Sequence, residues 1–396
     1  MFSGSETVKK AAFVILCVLY ILNITSCNRK DEIVIGLNYE GSGALAPYGK
    51  ALLWGAELAV EEINASGGID GRRVVLEKAD NRSQGAESAA AVLYLCSVKD
   101  ADVIIGPATS TLAKAALSVG ADVLIISPSA TADELTANTV GASKSPLCKG
   151  RWIAEQDEGI VNPSQSENAV SSNVGTSFLR LCFSDSVQGA AMGEYANSRG
   201  FLKAAVLVDM SSDYSVGCAA AFRKSFSGEI VFEGRFLSGD TDFSALVTEL
   251  SKSDFDCVYL PAYYTEAGLF IRQSREQGIY KTFLGGDAMD SPYLSDVIGK
   301  HEYLHDIIYT DHFSYDEPRY KEFAERFFDR YGENPPAYSA LAYDSVMLYC
   351  KNIQSVENST FNTISYQGVT GEIKIKENGD CEKEPVFVSL LEQCNR

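Results

Sequence analysis

Two short polar loops in the first half of the chain contain residue types that suit an anionic group. Each loop follows an apolar run, and its residues of interest are Ala108, Thr109 and Ser110 in the first loop and Ser129, Ala130 and Thr131 in the second. A helix that begins at Ser110 would present free N–H groups and partial positive charge, which suit a carboxylate. Either loop alone is typical of helix capping. Together they predict hydroxyl and N–H groups at one crevice.

Three residues in the second half of the chain complement these loops. Tyr214, Tyr263 and Asp287 also follow apolar runs, and Asp287 comes directly after a Gly-Gly pair. Tyrosines can form a pocket wall and donate hydrogen bonds, while an aspartate can neutralise an ammonium group. The alternative role of Asp287 is to cap the helix that follows it. A carboxylate that can pair with a cation, opposite hydrogen-bond donors that can bind an anion, predicts a site for one zwitterion.

A five-residue match to the zinc-protease motif H-E-x-x-H supplies an enzyme alternative. His301, Glu302 and His305 occupy its three fixed positions. The chemistry requires both histidines on one face of a helix, with the glutamate polarising a zinc-bound water. The match runs directly into an apolar run at 307–310, so no long amphipathic helix is predicted to contain it. Zinc hydrolysis is therefore a secondary hypothesis.

A glycine-rich loop near the start of the chain resembles a dinucleotide fingerprint in part. Gly41 and Gly43 follow an apolar run, but Pro47 comes next to the position of the third glycine. Asp80, the candidate ribose acid, lies too far along the chain. We therefore expect no dinucleotide and no other cofactor.

The elements that position these loops alternate between strand and helix over most of the chain. In the first half, strands at 33–39, 74–80, 103–106 and 123–127 alternate with helices, and the pattern restarts after Asp185. The strands are continuous apolar runs, which is typical of a parallel sheet covered on both faces. Two such patterns predict an α/β protein with two doubly wound, Rossmann-like lobes.

The rest of the chain departs from this alternation. Two helices are predicted at 317–331 and 337–356, followed by a hairpin that joins 372–376 to 386–391. Residues 141–177 form a polar, Ser/Asn/Gln-rich insert, and their composition predicts an exposed loop. A lid or a partner contact is the alternative for this insert.

The first 26 residues have the features of an export signal. Lys9 and Lys10 precede an apolar run at 11–22 that is too short to span a bilayer, and Ile-Thr-Ser-Cys ends the segment at Cys27. This ending resembles a bacterial lipobox, in which Cys27 would receive the lipid anchor; an ordinary signal with an incidental cysteine is the alternative.

Charge and cysteine content limit the partners and the chemistry. The formal net charge of −19 makes nucleic acid an unfavourable partner. The ten cysteines show no zinc-binding spacing, and Cys381 and Cys394 could pair in an oxidising compartment.

The quoted loops resemble one family over nearly the whole chain after the signal. The chain is similar to branched-chain amino-acid-binding proteins of ABC transporters, the type I periplasmic binding proteins. The resemblance rests on the segments GSGALAPYGKALLWGAELAVEEINASGGIDGR, IIGPATST, ISPSATADEL, FLRLCFSDSVQGAAMGEY, TDFSALVTEL, GGDAMDSPYL and RYGENPPAYSALAYDSVMLY. It implies a Venus-flytrap of two lobes that close on an amino acid and present it to a membrane permease. It implies a monomer without catalysis, located in the periplasm or on the cell surface.

The resemblance also implies roles for particular residues. Ser110 and Thr131, beside Ser129 and Ala130, would hold the ligand's charged groups through side-chain and backbone atoms, and Asp287 would pair with the ammonium. The residues expected to press on the ligand or shape its side-chain pocket are Tyr214, Tyr263, Tyr48, Ala108 and Thr109.

The resemblance implies three hinge crossings as well. They are expected near 180–183, 310–313 and 368–371, so that 27–182 with 313–370 form the first lobe and 183–312 with 371–396 form the second. A ligand-sensing receptor with the same fold is an alternative to transport.

Overall fold

The computed structural model describes residues 32–137, 178–353, 355 and 364–394. The predicted export signal, Cys27 and the polar insert at 141–177 lie outside these residues. None of the helices in the described part of the chain combines the length and apolarity that spanning a bilayer requires.

A five-stranded parallel sheet forms the centre of the first lobe, in the order β2-β1-β3-β4-β5. Its strands are β1 (Glu32–Tyr39), β2 (Arg73–Asp80), β3 (Val103–Ile105), β4 (Leu124–Ser127) and β5 (Phe178–Arg180). Successive residues of β3 contribute to different cores: Ile105 belongs to one hydrophobic cluster and Ile104 to another. The sheet is therefore covered on both faces, as its continuous apolar strands predict.

Helices fill the connections between these strands. They are α1 (Ala46–Ala65), α2 (Gly85–Ser97), α3 (Ser110–Leu117) and α4 (Glu134–Ala137). Helix α1 has Pro47 in its first turn. Proline suits this position because its φ angle is already helical and its missing N–H needs no partner there.

The second lobe repeats the architecture with β6 (Lys203–Asp209), β7 (Glu229–Phe236), β8 (Cys257–Tyr259), β9 (Thr282–Gly285) and β10 (Ile307–Asp311). Its helices are α5 (Asp185–Ser198), α6 (Asp213–Ser225), α7 (Ser244–Leu250), α8 (Tyr264–Glu276) and α9 (Leu294–Ile298). These five strands are parallel to their neighbours in the order β10-β9-β8-β6-β7. Leu207 and Val206 lie in different clusters on the two faces, so this lobe is doubly wound as well.

The C-terminal region contains α10 (Pro318–Tyr331), α11 (Ala337–Lys351), β11 (Ser365–Gly368), β12 (Gly371–Lys374), β13 (Val386–Ser389) and α12 (Leu390–Cys394). The predicted hairpin between 372–376 and 386–391 is wrong. Strand β12 pairs instead with β11, and β13 joins the edge of the second sheet, antiparallel to β10. Ile373 is buried in the core of the first lobe, which holds β12 away from β13.

The chain passes between the lobes three times. The first passage lies between β5 and α5, and the second lies between β10 and α10, whose Phe323 packs in the core of the first lobe. The third differs from the expected 368–371, because Ile373, Ile375 and Cys381 still belong to the core of the first lobe. It lies after Cys381 and before β13. Residues 371–381 thus pack with the first lobe, contrary to the expected boundary.

Cys381 and Cys394 are both free thiols in this structure. Cys381 is buried in the core of the first lobe, whereas Cys394 is exposed at the end of α12. The pairing considered for them is therefore not formed.

Candidate functional site

The loops singled out from the sequence lie at the carboxyl ends of parallel strands, where the two lobes meet. Tyr48 of α1 makes the most direct connection, because its hydroxyl donates to the Ala288 carbonyl oxygen (2.6 Å) in the second lobe. The same hydroxyl accepts the N–H of Tyr264 (3.2 Å). A second connection joins Lys114 Nζ of α3 to Asp213 Oδ1 of α6 (3.0 Å). The lobes therefore contact each other across the cleft.

Ser110, at the first position of α3, is buried and accepts two hydrogen bonds. Its Oγ receives the backbone N–H groups of Thr131 and Ala132, both at 3.1 Å. A serine hydroxyl has two acceptor positions and one donor hydrogen. Because both acceptor positions are filled, the group that Ser110 can still offer is its O–H donor, which suits a carboxylate.

The backbone of Thr131 differs from the expectation that it would hold a ligand. Its N–H donates to Ser110, and its carbonyl oxygen accepts from the Asp185 N–H (2.8 Å) and from Arg180 Nη1 (2.7 Å). Arg180 is itself buried and ion-paired with Asp380. The Thr131 side chain hydrogen-bonds to the Asp185 carboxyl, so its hydroxyl is shared between this contact and any ligand.

Ser129 offers a ligand the opposite hydrogen-bonding group from Ser110, an acceptor rather than a donor. Its hydroxyl donates to the Ala108 carbonyl oxygen (2.8 Å), so that its oxygen is left as an acceptor. The neighbouring Ala130 is fully buried and donates its N–H to Ser127 Oγ (3.0 Å). Both loops after β3 and β4 are thus held rigidly by each other.

Glu40 also belongs to this region, although its own neighbours along the chain do not indicate it. Its carboxylate lies at the end of β1, fully buried, and accepts the N–H groups of Ala108 (3.1 Å) and Thr109 (3.4 Å) and the Thr109 hydroxyl (3.4 Å). Burial raises the pKa of Glu40 to about 7. A glutamate in a glycine-rich loop is usually solvated. The adjacency of β1 and β3 in the sheet was the only signal available.

Gly106 allows the loop after β3 to turn directly above β1. Its φ angle is +87°, and a Cβ at this position would collide with the Asn38 carbonyl oxygen. Only glycine fits both constraints. This turn positions Ala108, Thr109 and Ser110 beside Glu40.

Asp287 provides the negative charge of the site. Its side chain is buried, with Oδ2 3.0 Å from His312 Nε2, and its backbone N–H donates to Gln188 Oε1 (3.2 Å). Among the described residues, Oδ1 of Asp287 is one of a few buried polar atoms without a hydrogen-bond partner. A buried carboxylate oxygen without a partner is unfavourable unless a ligand supplies one. His312 was not identified from the sequence as part of this site.

A short chain of hydrogen bonds connects Ser110 to Asp287. Ser110 Oγ accepts from Thr131, whose carbonyl accepts from the Asp185 N–H. Asp185 Oδ1 accepts from Gln188 Nε2 (3.3 Å), and Gln188 Oε1 accepts the Asp287 N–H. The hydroxyl side and the acid side therefore belong to one continuous polar network.

Tyrosine rings from both lobes line the same cleft. The centroids of Tyr48 and Tyr263 are 5.7 Å apart, as are those of Tyr214 and Tyr263, and Tyr338 of α11 lies 4.7 Å from Tyr48. Burial, followed by the charge of Asp287, raises the pKa of Tyr214 well above its usual value, which keeps this hydroxyl protonated. Tyr338 was missed because it follows a loop rather than a strand.

Local structure places two of these tyrosines. Ser212 caps α6 by accepting the N–H of Ser215 (3.3 Å), which puts Tyr214 in the first turn of the helix. Gly286 then allows the Tyr214 hydroxyl to approach the backbone, because a Cβ there would collide with it. Tyr263 lies at the N-cap of α8.

The H-E-x-x-H match lies outside this region. His301 and Glu302 are part of a 3-10 turn, His301–Tyr303, and His305 follows it; all three side chains are exposed. In the parts of the chain that the structure describes, no group of three or more His, Cys, Asp or Glu residues is placed to hold a metal ion. The helix that the zinc chemistry requires is not formed here.

A family model described as periplasmic binding protein matches residues 32–146 and 150–378. A protein of Pseudomonas aeruginosa, named amino acid binding protein, is 28% identical over 325 residues, which cover 80% of this chain and 76% of that protein.

Two solved structures share the fold along most of their length. One is the branched-chain amino acid transporter substrate binding protein LivJ of Streptococcus pneumoniae in complex with isoleucine. Its TM-score is 0.76, with 32% identity, 90% of this chain covered and 100% of that chain. The other is a leucine binding protein, LivK, of Thermotoga maritima, with a TM-score of 0.74, 27% identity, and 90% and 94% of the two chains covered.

Proposed function

This chain belongs to the periplasmic binding protein family, of the type found in branched-chain amino-acid ABC transporters, and we propose that it binds a free α-amino acid between its two lobes. The relatives named above are binding proteins rather than enzymes, so the proposal is for binding without catalysis. Proteins of this class in ABC importers act after export to the periplasm.

The observation that supports an ammonium ligand most directly is the open oxygen of Asp287. An ionised carboxylate in a buried site is stable only when its charge is paired. One oxygen of Asp287 faces His312, and the other has no partner among the described residues. The α-ammonium of an amino acid supplies both the missing hydrogen bond and the opposite charge. Ser129, whose oxygen is left as an acceptor, is proposed as a further partner for the ammonium.

The ligand carboxylate is assigned to the other end of the network. Ser110 has only its O–H donor free. Thr131, whose backbone N–H donates to Ser110, is the residue that we assign beside it. The first turn of α3 adds partial positive charge at the same place. A zwitterion laid between Ser110 and Asp287 would have both charges matched.

The side chain of the ligand is proposed to be apolar. Tyr48, Ala108, Thr109, Tyr214 and Tyr263 remain the residues that we assign to its pocket. The Tyr48 hydroxyl is already engaged by Ala288 and Tyr264, so that the ring is what this residue offers. The two solved relatives, described as isoleucine-bound and as leucine-binding, support a branched-chain side chain.

Delivery to a membrane permease completes the proposal. A ligand held by both lobes binds the closed arrangement more tightly than the open one and so shifts the equilibrium toward closure. A permease that recognises the closed form would then respond only to protein with bound ligand. We propose that Cys27 anchors the protein through lipid and that the protein acts as a monomer.

The test is a thermal-shift screen of the common amino acids, followed by calorimetry on the protein without residues 1–26. We expect leucine, isoleucine or valine to raise the melting temperature. Asp287→Ala should weaken amino-acid binding at least about a hundredfold, because removing one partner of a buried ion pair costs about 3–5 kcal/mol.

The matched control for this variant is Asp254→Ala, since the Asp254 side chain is 85% exposed and lies in the second lobe. It should bind as the wild type does. Either of two results contradicts the proposal: no amino acid shifts the melting temperature, or Asp287→Ala binds with undiminished affinity.

A further inference from the structure

The geometry points to His312 as the residue that positions Asp287 for the ligand's ammonium, an inference that rests on the proposed function. His312 follows β10 directly, in the second passage between the lobes. Its Nε2 is 3.0 Å from Asp287 Oδ2, and the two side chains are 0% and 2% exposed. A hydrogen bond so well shielded from water fixes the orientation of the carboxylate that it contacts.

The imidazole is held from both of the first two passages. Its ring stacks on Phe183, which lies between β5 and α5, with centroids 4.3 Å apart and planes at 28°. Its backbone N–H donates to Asp311 Oδ1 (2.6 Å). The ring therefore has little freedom to turn away from Asp287.

The hydrogen bonds assign the tautomer of this imidazole. With Asp287 ionised, Nε2 must bear the proton, since otherwise two lone pairs would face each other across 3.0 Å. Nδ1 is buried without a partner, so a proton there would leave a charged N–H unpaired. In this arrangement Nε2 donates to Asp287 Oδ2 and orients the carboxylate for a ligand.

Two other acids near the ring are occupied elsewhere. Asp290 accepts the Ala337 N–H (2.6 Å) and the Tyr315 hydroxyl (3.0 Å), and Asp311 also accepts from Tyr315 (2.8 Å). Asp287 is therefore the carboxylate whose oxygen faces Nε2 among the described hydrogen bonds.

Loss of the Nε2 donor would leave both oxygens of Asp287 without a fixed partner. The carboxylate could then rotate, and part of its ordering would have to accompany ligand binding. Only the contact with the ammonium should suffer, because Ser110 and the tyrosines do not touch His312 through any hydrogen bond in the described residues. This selectivity separates a positioning role from a general packing role.

The experiment compares His312→Leu with His312→Gln, using L-leucine and its α-hydroxy counterpart, 2-hydroxy-4-methylpentanoate, as calorimetric probes. The two probes share a carboxylate and a side chain and differ only at the α-substituent. We expect His312→Leu to raise the Kd for leucine about ten- to a hundredfold, since hydrogen bonds to charged groups have effects of this size. The Kd for the hydroxy acid should change less than about threefold.

His312→Gln retains an N–H near the position of Nε2 and should restore leucine binding to within about threefold of the wild type. His312→Asn serves as a second variant if His312→Leu does not fold. Its amide is too short to reach Asp287, so it should show the same selective loss. Circular dichroism and a cooperative thermal transition establish that each variant is folded.

Several results overturn the inference while the proposed function stands. One is leucine binding by His312→Leu at wild-type strength, and another is tighter binding, which would mean that an imidazolium had been neutralising Asp287. Equal losses for both probes, or no rescue by glutamine, would reduce His312 to a packing role. Wild-type protein that binds neither probe overturns the branched-chain proposal itself, and the inference with it.

Discussion

At the scale of single residues, two serines of the first lobe differ in what they can still offer a ligand. Ser110 accepts two N–H groups and keeps its donor, whereas Ser129 donates to Ala108 and keeps an acceptor. Their residue type is the same, and the neighbouring backbone decides the polarity. The two serines can therefore distinguish the carboxylate from the ammonium of a zwitterion before a ligand binds.

Ser110→Ala should weaken the binding of leucine and of its α-hydroxy acid alike. Both probes have the carboxylate that Ser110 is proposed to contact, and a hydrogen bond to a charged group is worth about 1.5–3 kcal/mol, so we expect each Kd to rise about ten- to a hundredfold. Calorimetry with both probes measures this. Asp287→Ala, in contrast, should affect the amino acid far more than the hydroxy acid.

Ser118→Ala is the matched control, because the exposed Ser118 hydroxyl bonds only within its own helix region, to Ala115. Binding of both probes by Ser110→Ala at wild-type strength would remove the carboxylate role from this residue.

The sequence predicted which loops approach the cleft but not how their polar atoms are used. Strand ends and glycine-rich turns identified the regions of Ser110, Thr131 and Asp287. The saturation of the Thr131 backbone by Arg180 and Asp185 depends on side chains that are distant in sequence. Glu40 and His312 were missed for the same reason, since burial of a charged or titratable residue follows from packing and not from its own neighbours.

At the scale of elements, the contact between the end of β1 and the start of α3 makes stability depend on pH. Burial raises the pKa of Glu40 from 4.5 to about 7, so between these values the folded state binds a proton that the unfolded state releases. The free energy of unfolding should therefore fall as pH rises through this window, by up to about 3 kcal/mol from this group.

Glu40→Gln removes this titration and keeps the size of the side chain. We expect the free energy of unfolding of the variant to fall less steeply between pH 4.5 and 7 than that of the wild type. Urea titrations across the window measure the difference, which isolates Glu40 from other buried acids such as Asp185. Glu249→Gln, whose side chain is 62% exposed, is the matched control. A slope in Glu40→Gln as steep as in the wild type would contradict the prediction.

The order of strands and helices could largely be predicted from the sequence, and the exceptions have a physical cause. Apolar runs such as 103–106 and 123–127 predicted β3 and β4 because a strand covered on both faces has no polar positions. The sequence did not predict the partner strands of β12 and β13. Both are short, half-exposed strands, and their partners are set by which lobe buries Ile373 and by the free edge of β10.

At the scale of the whole molecule, the lobes meet through hydrogen bonds and one shared aromatic cluster. Tyr48 bonds to Ala288 and Tyr264, and Lys114 pairs with Asp213. Tyr263 and Tyr264 of the second lobe also pack against the cluster that contains Tyr48. These hydrogen bonds are compatible with opening, because each contributes only about 0.5–1.5 kcal/mol. The balance between open and closed arrangements should thus respond to single substitutions.

Tyr48→Phe should shift this balance toward the open arrangement. The variant keeps the ring but loses the hydrogen bonds to Ala288 and Tyr264, so we expect a larger radius of gyration without ligand and a Kd for leucine about tenfold higher. Small-angle scattering and calorimetry measure the two quantities. Tyr280→Phe, on an exposed tyrosine, is the control. An unchanged radius together with unchanged affinity would show that this hydroxyl does not stabilise closure.

The interleaved passages also determine when folding can finish. The core of the first lobe contains Ile33 from the first strand and Ile375 and Cys381 from close to the C-terminus. A ribosome makes residues in order, so the nascent polypeptide cannot complete this core until almost its entire length has been synthesised. A polypeptide that stays incompletely folded for so long can still pass through a secretion pore, because such pores transport chains before they fold.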